Sequence, residues 1–187
     1  MIVENGITML NLKQVCSSKG KLHMDTIILK GILWEDVVNY KKISTTLIFP
    51  NCSFKCEKEC GKKICQNSPL IKDKDIEVNI DSIITRYLSN PITEAIICQG
   101  LEPFDSFDEL LSFIIKFREK SEDDIVIYTG YTFDELSDMG YIDKLKNIPH
   151  KNIIIKVGRY VPDKEGVYDY TLGVNLASDN QYAFKLP

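Results

Sequence analysis

Ile43-Ser-Thr-Thr-Leu-Ile-Phe49-Pro50-Asn51-Cys52-Ser-Phe-Lys-Cys56-Glu-Lys-Glu-Cys60-Gly-Lys-Lys-Ile-Cys65-Gln-Asn67 runs from an apolar, β-branched segment straight into four cysteines. Ile43–Phe49 reads as a strand, because branched side chains favour the pleated backbone, and Pro50 ends it by removing a ladder donor. Cys52, Cys56, Cys60 and Cys65 then fall within 14 residues, separated by loops of three, three and four. Core packing gives no reason for such clustering. Thiolates are soft ligands suited to zinc, copper(I) or iron–sulfur centres. All four could surround a zinc ion, although paired knuckles separated by a long spacer are the usual zinc pattern. Three of the four could instead hold a [4Fe–4S] cluster and leave one iron open to a substrate or cofactor.

Outward from this segment, strand-like and helix-like patterns alternate. Ile80–Leu88 has Ile80, Ile83, Ile84, Tyr87 and Leu88 at helical spacing. Glu94–Cys98 reads as a short strand running into a turn at Gly100. Ser106–Lys120 is the clearest helix, with Leu110, Leu111, Ile114, Ile115 and Phe117 as its buried face and Ser106 with Glu109 as a capping box. Ile125–Tyr128 is a strand, followed by the turn Thr129-Gly130-Tyr131 and a second capping box, Thr132 with Glu135. Asn152–Val157 is another strand. This order predicts βαβ crossovers and an α/β fold with a mainly parallel sheet. Such sheets carry their chemistry at the carboxyl ends of the strands. The cysteine segment, the Gly100 turn and the Thr129 turn are therefore expected on one face.

Composition narrows the class. The chain has 187 residues, 44% of them hydrophobic and 27% charged, an ordinary globular mixture of one-domain length. Residues 24–187 read as a single domain and residues 1–23 as a weakly patterned extension. The formal net charge of -4 disfavours a nucleic-acid binder, and the lysine-rich stretch Lys55–Lys63 reads as a solvated loop. No apolar run has the length of a membrane span, and the first residues lack the apolar centre of a signal peptide, so a cytoplasmic location is expected. Six cysteines in a cytosolic chain point to metal or catalytic thiols rather than a disulfide framework. Cys98, at a strand end, reads as a small buried hydrophobe, and Cys16 lies outside the cluster loop. With only His23 and His150 available, neither in a catalytic-looking context, hydrolase triads find little support.

The spacing Cys52-x3-Cys56 directly after a strand resembles the cluster loop of radical-SAM enzymes, commonly C-x3-C-x2-C. Cys60 falls one residue late for the third ligand, and Glu59 stands where the spacing would put a cysteine. Cys65-Gln66-Asn67 resembles the family's closing cysteine-aromatic-asparagine element, displaced by an insertion of six residues, with Gln66 in place of the aromatic that packs near the adenine. Gln99-Gly100-Leu101-Glu102-Pro103 resembles the Gly-Gly-Glu-Pro motif, with Leu101 replacing one glycine.

Further along, Val38-Asn39-Tyr40, Tyr128-Thr129-Gly130-Tyr131-Thr132 with Glu135-Leu136, and Gly158-Arg159-Tyr160 are similar to the activating proteins of anaerobic (class III) ribonucleotide reductases. So is the late element Ser178-Asp179-Asn180-Gln181. The resemblance covers Ile27–Gln181. It implies a shortened, open radical-SAM partial (βα) barrel. Cys52, Cys56 and Cys65 would ligate a [4Fe–4S] cluster, and Gly100, Glu102, Thr129, Gln66 and Asn67 would bind S-adenosylmethionine (SAM). Thr129 would reach the ribose and Arg159 the SAM carboxylate, while Glu102 would steady the amino group. The implied activity is reductive cleavage of SAM to a 5′-deoxyadenosyl radical, which takes hydrogen from a glycine of a partner enzyme. A low-potential electron donor would be a second partner. A radical-SAM enzyme acting on a small molecule or peptide, and a non-catalytic zinc module, are the competing readings.

Overall fold

Alternation along β3 (Ser44–Phe49) sends Leu47 and Phe49 to one face of the sheet and Ser44 and Thr46 to the other, and all four are buried. A strand covered on both faces belongs in the middle of a layered α/β unit. The computed structural model describes residues 24–149 and 152–187. The readings placed on residues 1–23, Cys16, His23 and His150 lie outside the described residues.

Around β3 the sheet has six strands in the order β10-β7-β6-β5-β3-β2. β5 (Ala95–Gly100), β6 (Asp124–Tyr128) and β7 (Ile153–Val157) continue parallel from β3. β2 (Gly31–Asp36) and β10 (Tyr182–Lys185) close the two edges antiparallel. Two small antiparallel pairs stand apart, β1 (Thr26–Leu29) with β4 (Ile76–Asn79) and β8 (Val167–Asp169) with β9 (Val174–Leu176).

The parallel strands follow one another in chain order, so right-handed crossovers return every helix to the same face. Packing agrees. Ile80, Ile83, Ile84 and Tyr87 of α2 (Ile80–Ser89), Leu110, Phe113, Ile114 and Phe117 of α3 (Phe107–Arg118), Leu136 of α4 (Phe133–Asp138) and Leu145 of α5 (Tyr141–Lys146) share one core with Leu47, Ile96, Ile125 and Ile155. The opposite face is a smaller layer in which Tyr40, Leu172 and Leu176 cover Ala95, Ile97, Val126 and Ile154. Each large apolar side chain so buried contributes about 1.5–3 kcal/mol.

Several local expectations change in detail. Asn79 caps α2, its side chain accepting the Ser82 N–H at 3.0 Å, and Leu88 is 50% exposed rather than on the buried side. The Thr132–Glu135 capping box is formed. The one at Ser106 is not: a 3-10 turn, Pro103–Ser106, precedes α3, and the Ser106 hydroxyl accepts from Asn51 Nδ2 at 2.9 Å. Ser106 thus anchors the cysteine loop instead of its own helix.

Candidate functional site

Parallel pairing puts the last residues of neighbouring strands side by side. Phe49 pairs with Gly100 and Tyr128 with Lys156, so the chain leaves β3, β5, β6 and β7 at one edge of the sheet. Gly100 must be glycine there. Its φ is +116°, and a Cβ would stand 2.7 Å from the Ile48 side chain and 2.8 Å from the Phe49 nitrogen.

A cleft opens at this edge, and Cys52, Cys56 and Cys65 line it together with Leu101, Glu102, Gly130, Tyr131 and Arg159. The thiols are half-buried. Phe54, in the left-handed region at φ +51°, turns the chain into α1 (Lys55–Cys60), which carries Cys56. Cys60 lies on the same short helix but does not line the cleft. Its thiol donates to the Glu57 carbonyl at 3.7 Å and the Lys62 carbonyl at 3.3 Å. Cys98 is fully buried in the helix-side core. Among the described residues no three His, Cys, Asp or Glu side chains are gathered as for a single metal ion.

The cysteine loop is tied to the other strand ends from several directions. The Glu102 N–H donates to the Asn51 carbonyl at 2.7 Å. Asp105 accepts the Ser53 N–H through Oδ2 and the Tyr131 hydroxyl through Oδ1, both at 2.5 Å. Asn67 donates to the Gly100 carbonyl at 2.9 Å, and Glu57 Oε1 accepts the Cys65 N–H at 3.1 Å. At the loop's far side the Lys30 ammonium donates to the carbonyls of Ile71 and Asp73 and pairs with Asp75 at 2.7 Å.

Glu102 forms one wall. It is 5% exposed, and its carboxylate accepts from Gly130 N at 2.9 Å, Phe104 N at 3.2 Å and the Thr129 hydroxyl. Burial pushes its pKa up to about 7 against the pull of those donors. Also lining the cleft, Arg159 pairs with Glu135 at 2.5 Å and Glu59 at 3.2 Å. The Arg159 contact holds Glu135 down at about 2. Burial lifts the Cys52 thiol to about 12, helped by Glu102 and Asp105, and burial with Cys65 nearby lifts Cys56. The bare Cys52 and Cys56 thiols therefore stay protonated, and a bound metal centre would reverse that by deprotonating its ligands.

The remaining candidates lie differently. Thr129 is buried, and its hydroxyl is engaged by Glu102 and the Tyr131 N–H at 3.0 Å. Gln66 and Asn67 are exposed and do not line the cleft. Sequence reasoning passed over Asp105, Lys30 and Lys156. Lys156 is 7% exposed, its pKa lowered to about 8 by burial, and it donates to the Gly158 carbonyl at 2.9 Å. A lysine interrupting the run Asn152-Ile-Ile-Ile-Lys156-Val157 was a visible signal of a buried charge. Asp105 and Lys30 had none, since their partners are 26 or more residues away.

Three soft donors on one partly buried cleft, with space beside them, fit a [4Fe–4S] cluster held by three cysteines. No curated protein and no solved structure matches the chain. A family model described as a 4Fe-4S single cluster domain, a family found in radical-SAM-related proteins, matches residues 38–174 and so spans both the cysteine loop and the strand ends facing it. No helix among the described residues is long and apolar enough to cross a membrane. By that match, and with a thiol cleft to accept the cofactor, the chain belongs to the 4Fe-4S single cluster domain family of iron–sulfur proteins.

Proposed function

We propose that the chain is a radical-SAM activase with a shortened, open (βα) barrel, generating a glycyl radical on a partner enzyme such as an anaerobic ribonucleotide reductase. The observation that carries this reading is the meeting of Cys52, Cys56 and Cys65 with the Glu102 carboxylate on one cleft. When bound, the cluster supplies the single low-potential electron that cleaves SAM. Cys52, Cys56 and Cys65 would hold the cluster, which would leave it open to SAM.

Glu102 offers a negative charge to the SAM ammonium from a seat where its present partners are N–H and O–H donors. Taken out of water, that charge pair is stronger than it would be at the surface. The Gly130 N–H and the Thr129 hydroxyl fix the carboxylate, so Thr129 acts through Glu102. Arg159, with its side chain 11% exposed, brings the charge that matches the SAM carboxylate. Leu101 and Tyr131 add apolar surface to the lining of the same cleft. Sequential strand order with α2, α3, α4 and α5 on one face supports the open-barrel reading, and the unclosed edges leave room for a partner's loop.

Anaerobic reconstitution tests the proposal. Protein carrying about four irons per chain, an electron paramagnetic resonance signal altered by SAM, and release of 5′-deoxyadenosine are expected. Added to a cognate anaerobic ribonucleotide reductase with reductant, it should raise a glycyl radical. Stoichiometric zinc without a reducible cluster would overturn the reading. SAM cleavage without activation of any glycyl-radical protein from the same genome would favour a small-molecule or peptide substrate.

A further inference from the structure

The ladder between β7 and β10 ends at the pair Val157–Tyr182, and beyond it the two segments are joined by side chains instead. Gly158 turns out of β7 at φ +96°, where a Cβ would stand 2.9 Å from the Asn180 carbonyl oxygen, so the backbones lie in close contact. Past this point the Gly158 and Arg159 carbonyls take side-chain amides in place of ladder donors. Gln181 Nε2 donates to the Gly158 carbonyl at 3.1 Å, and Asn180 Nδ2 to the Arg159 carbonyl at 2.8 Å. Gln181 is aimed by its own oxygen, which accepts the Ala177 and Ser178 N–H groups at 3.0 and 3.2 Å. The Ser178 hydroxyl accepts the Val161 N–H at 3.3 Å. Asn180 makes its bond at a cost, because its Oδ1 is buried with no partner among the described residues. Ser178 and Gln181 are buried, whereas residues 163–168 are exposed, so the grip falls on the few residues around Arg159. On the cleft side the arginine stem packs on Gly130, where a Cβ would stand 3.7 Å from Arg159 Cγ and 3.6 Å from Glu102 Oε2.

We propose that Asn180 and Gln181 are positioning residues that act through Arg159, holding its backbone so that the guanidinium meets the carboxylate end of the ligand in the cleft. The inference rests on the SAM reading of that cleft and adds residues to the same site. A guanidinium takes a carboxylate through two parallel N–H donors, so a small tilt of its backbone loses one of them. Arginine is long and rotamer-rich, and a fixed backbone removes one source of that freedom. The side-chain amides therefore do for Arg159 what the Gly130 N–H does for Glu102. Neither amide touches the ligand.

The test compares wild type with Asn180→Ala and, as a second variant, Gln181→Met. On anaerobically reconstituted protein the probes are SAM and decarboxylated SAM, which keeps the ammonium and the sulfonium but lacks the carboxylate. Each variant should bind SAM about five-fold or more weakly, on the scale of one hydrogen bond. Decarboxylated SAM should bind within about two-fold of wild type, with iron content and circular dichroism unchanged. Adding Asn180→Ala to Arg159→Gln should change SAM binding little further, because residues that act through one another are not additive. A second measurement needs no cluster and no SAM. Phenylglyoxal modification, resolved by mass spectrometry, should speed up at Arg159, whose side chain is 11% exposed, and stay as in wild type at Arg86 and Arg118. Equal losses for SAM and decarboxylated SAM would overturn the proposal, since a merely structural role weakens both. An unchanged Arg159 modification rate in both variants would overturn it as well. Failure of wild type to bind SAM would overturn the SAM reading instead, and the Arg159 rate still decides whether the two amides hold the arginine.

Discussion

Glu102 and Gly130 are joined across the carboxyl ends of β5 and β6, the Gly130 N–H donating to Glu102 Oε2 at 2.9 Å. Residues 28 apart in sequence thereby form one wall of the cleft that the three cysteines line. Glu102→Gln keeps the shape of this wall and removes its charge. Iron content and circular dichroism should match wild type, while SAM affinity falls by about ten-fold or more, on the order of the 1.5–3 kcal/mol of a charge-assisted hydrogen bond. Retention of SAM binding, read from the paramagnetic resonance shift, would remove Glu102 from the site.

The cysteines should separate into three groups. Alanine at Cys52, Cys56 or Cys65 should lose most of the iron and all SAM cleavage. Cys60→Ala should keep both, because that thiol is turned to the carbonyls of Glu57 and Lys62. Loss of the cluster in Cys60→Ala with retention in Cys65→Ala would replace this ligand set by Cys52, Cys56 and Cys60. Cys98→Ser should retain iron yet lower thermal stability by about 1–3 kcal/mol, since it puts a hydroxyl into a fully buried apolar position.

Gly100→Ala tests the junction between strand and cleft. An alanine at φ +116° is strained, and its methyl would meet the Phe49 backbone at 2.8 Å. Strain of this kind costs about 1–3 kcal/mol, and relief requires β5 to shift against β3. Chemical denaturation should show the loss, and the Asn67 bond to the Gly100 carbonyl should weaken with it.

Glu135 makes part of the stability pH-dependent. Its pKa falls from 4.5 to about 2, chiefly through Arg159, so the unfolded chain binds more protons between those values. The stabilisation is complete above about 4.5 and is lost as pH falls towards 2. Thermal unfolding should therefore show wild type losing its advantage over Glu135→Gln as pH drops from 6 to 3. Parallel curves for the two proteins would show that the Glu135–Arg159 pair contributes nothing in solution.

Lys156 predicts a slope of the same sign at alkaline pH. Burial lowers its pKa from 10.5 to about 8, so the unfolded chain again binds more protons, now between those two values. Stability should rise with pH across that window, and Lys156→Met should flatten the rise. An unchanged pH profile in the variant would mean that Lys156 reaches water.

By itself the sequence determined what depends on neighbours along the chain. The β-branched run before Pro50, the helical spacing of Ile80, Ile83, Ile84 and Tyr87, and the Thr132–Glu135 cap are short-range patterns, and each forms its element. The thiol cluster was legible because four cysteines within 14 residues have few structural explanations. Local pattern misled at Ser106, where the pull of Asn51, 55 residues away, outweighed the cap. It misled again at Leu88, left in solvent by the way α2 lies on the sheet. Only the tertiary structure decided that Cys60 is outside the cleft, that Asp105 ties the cysteine loop to Tyr131, and that Arg159 closes on Glu135 and Glu59. These contacts depend on parallel strand register, which aligns chain segments far apart in sequence and leaves no periodicity in any one of them.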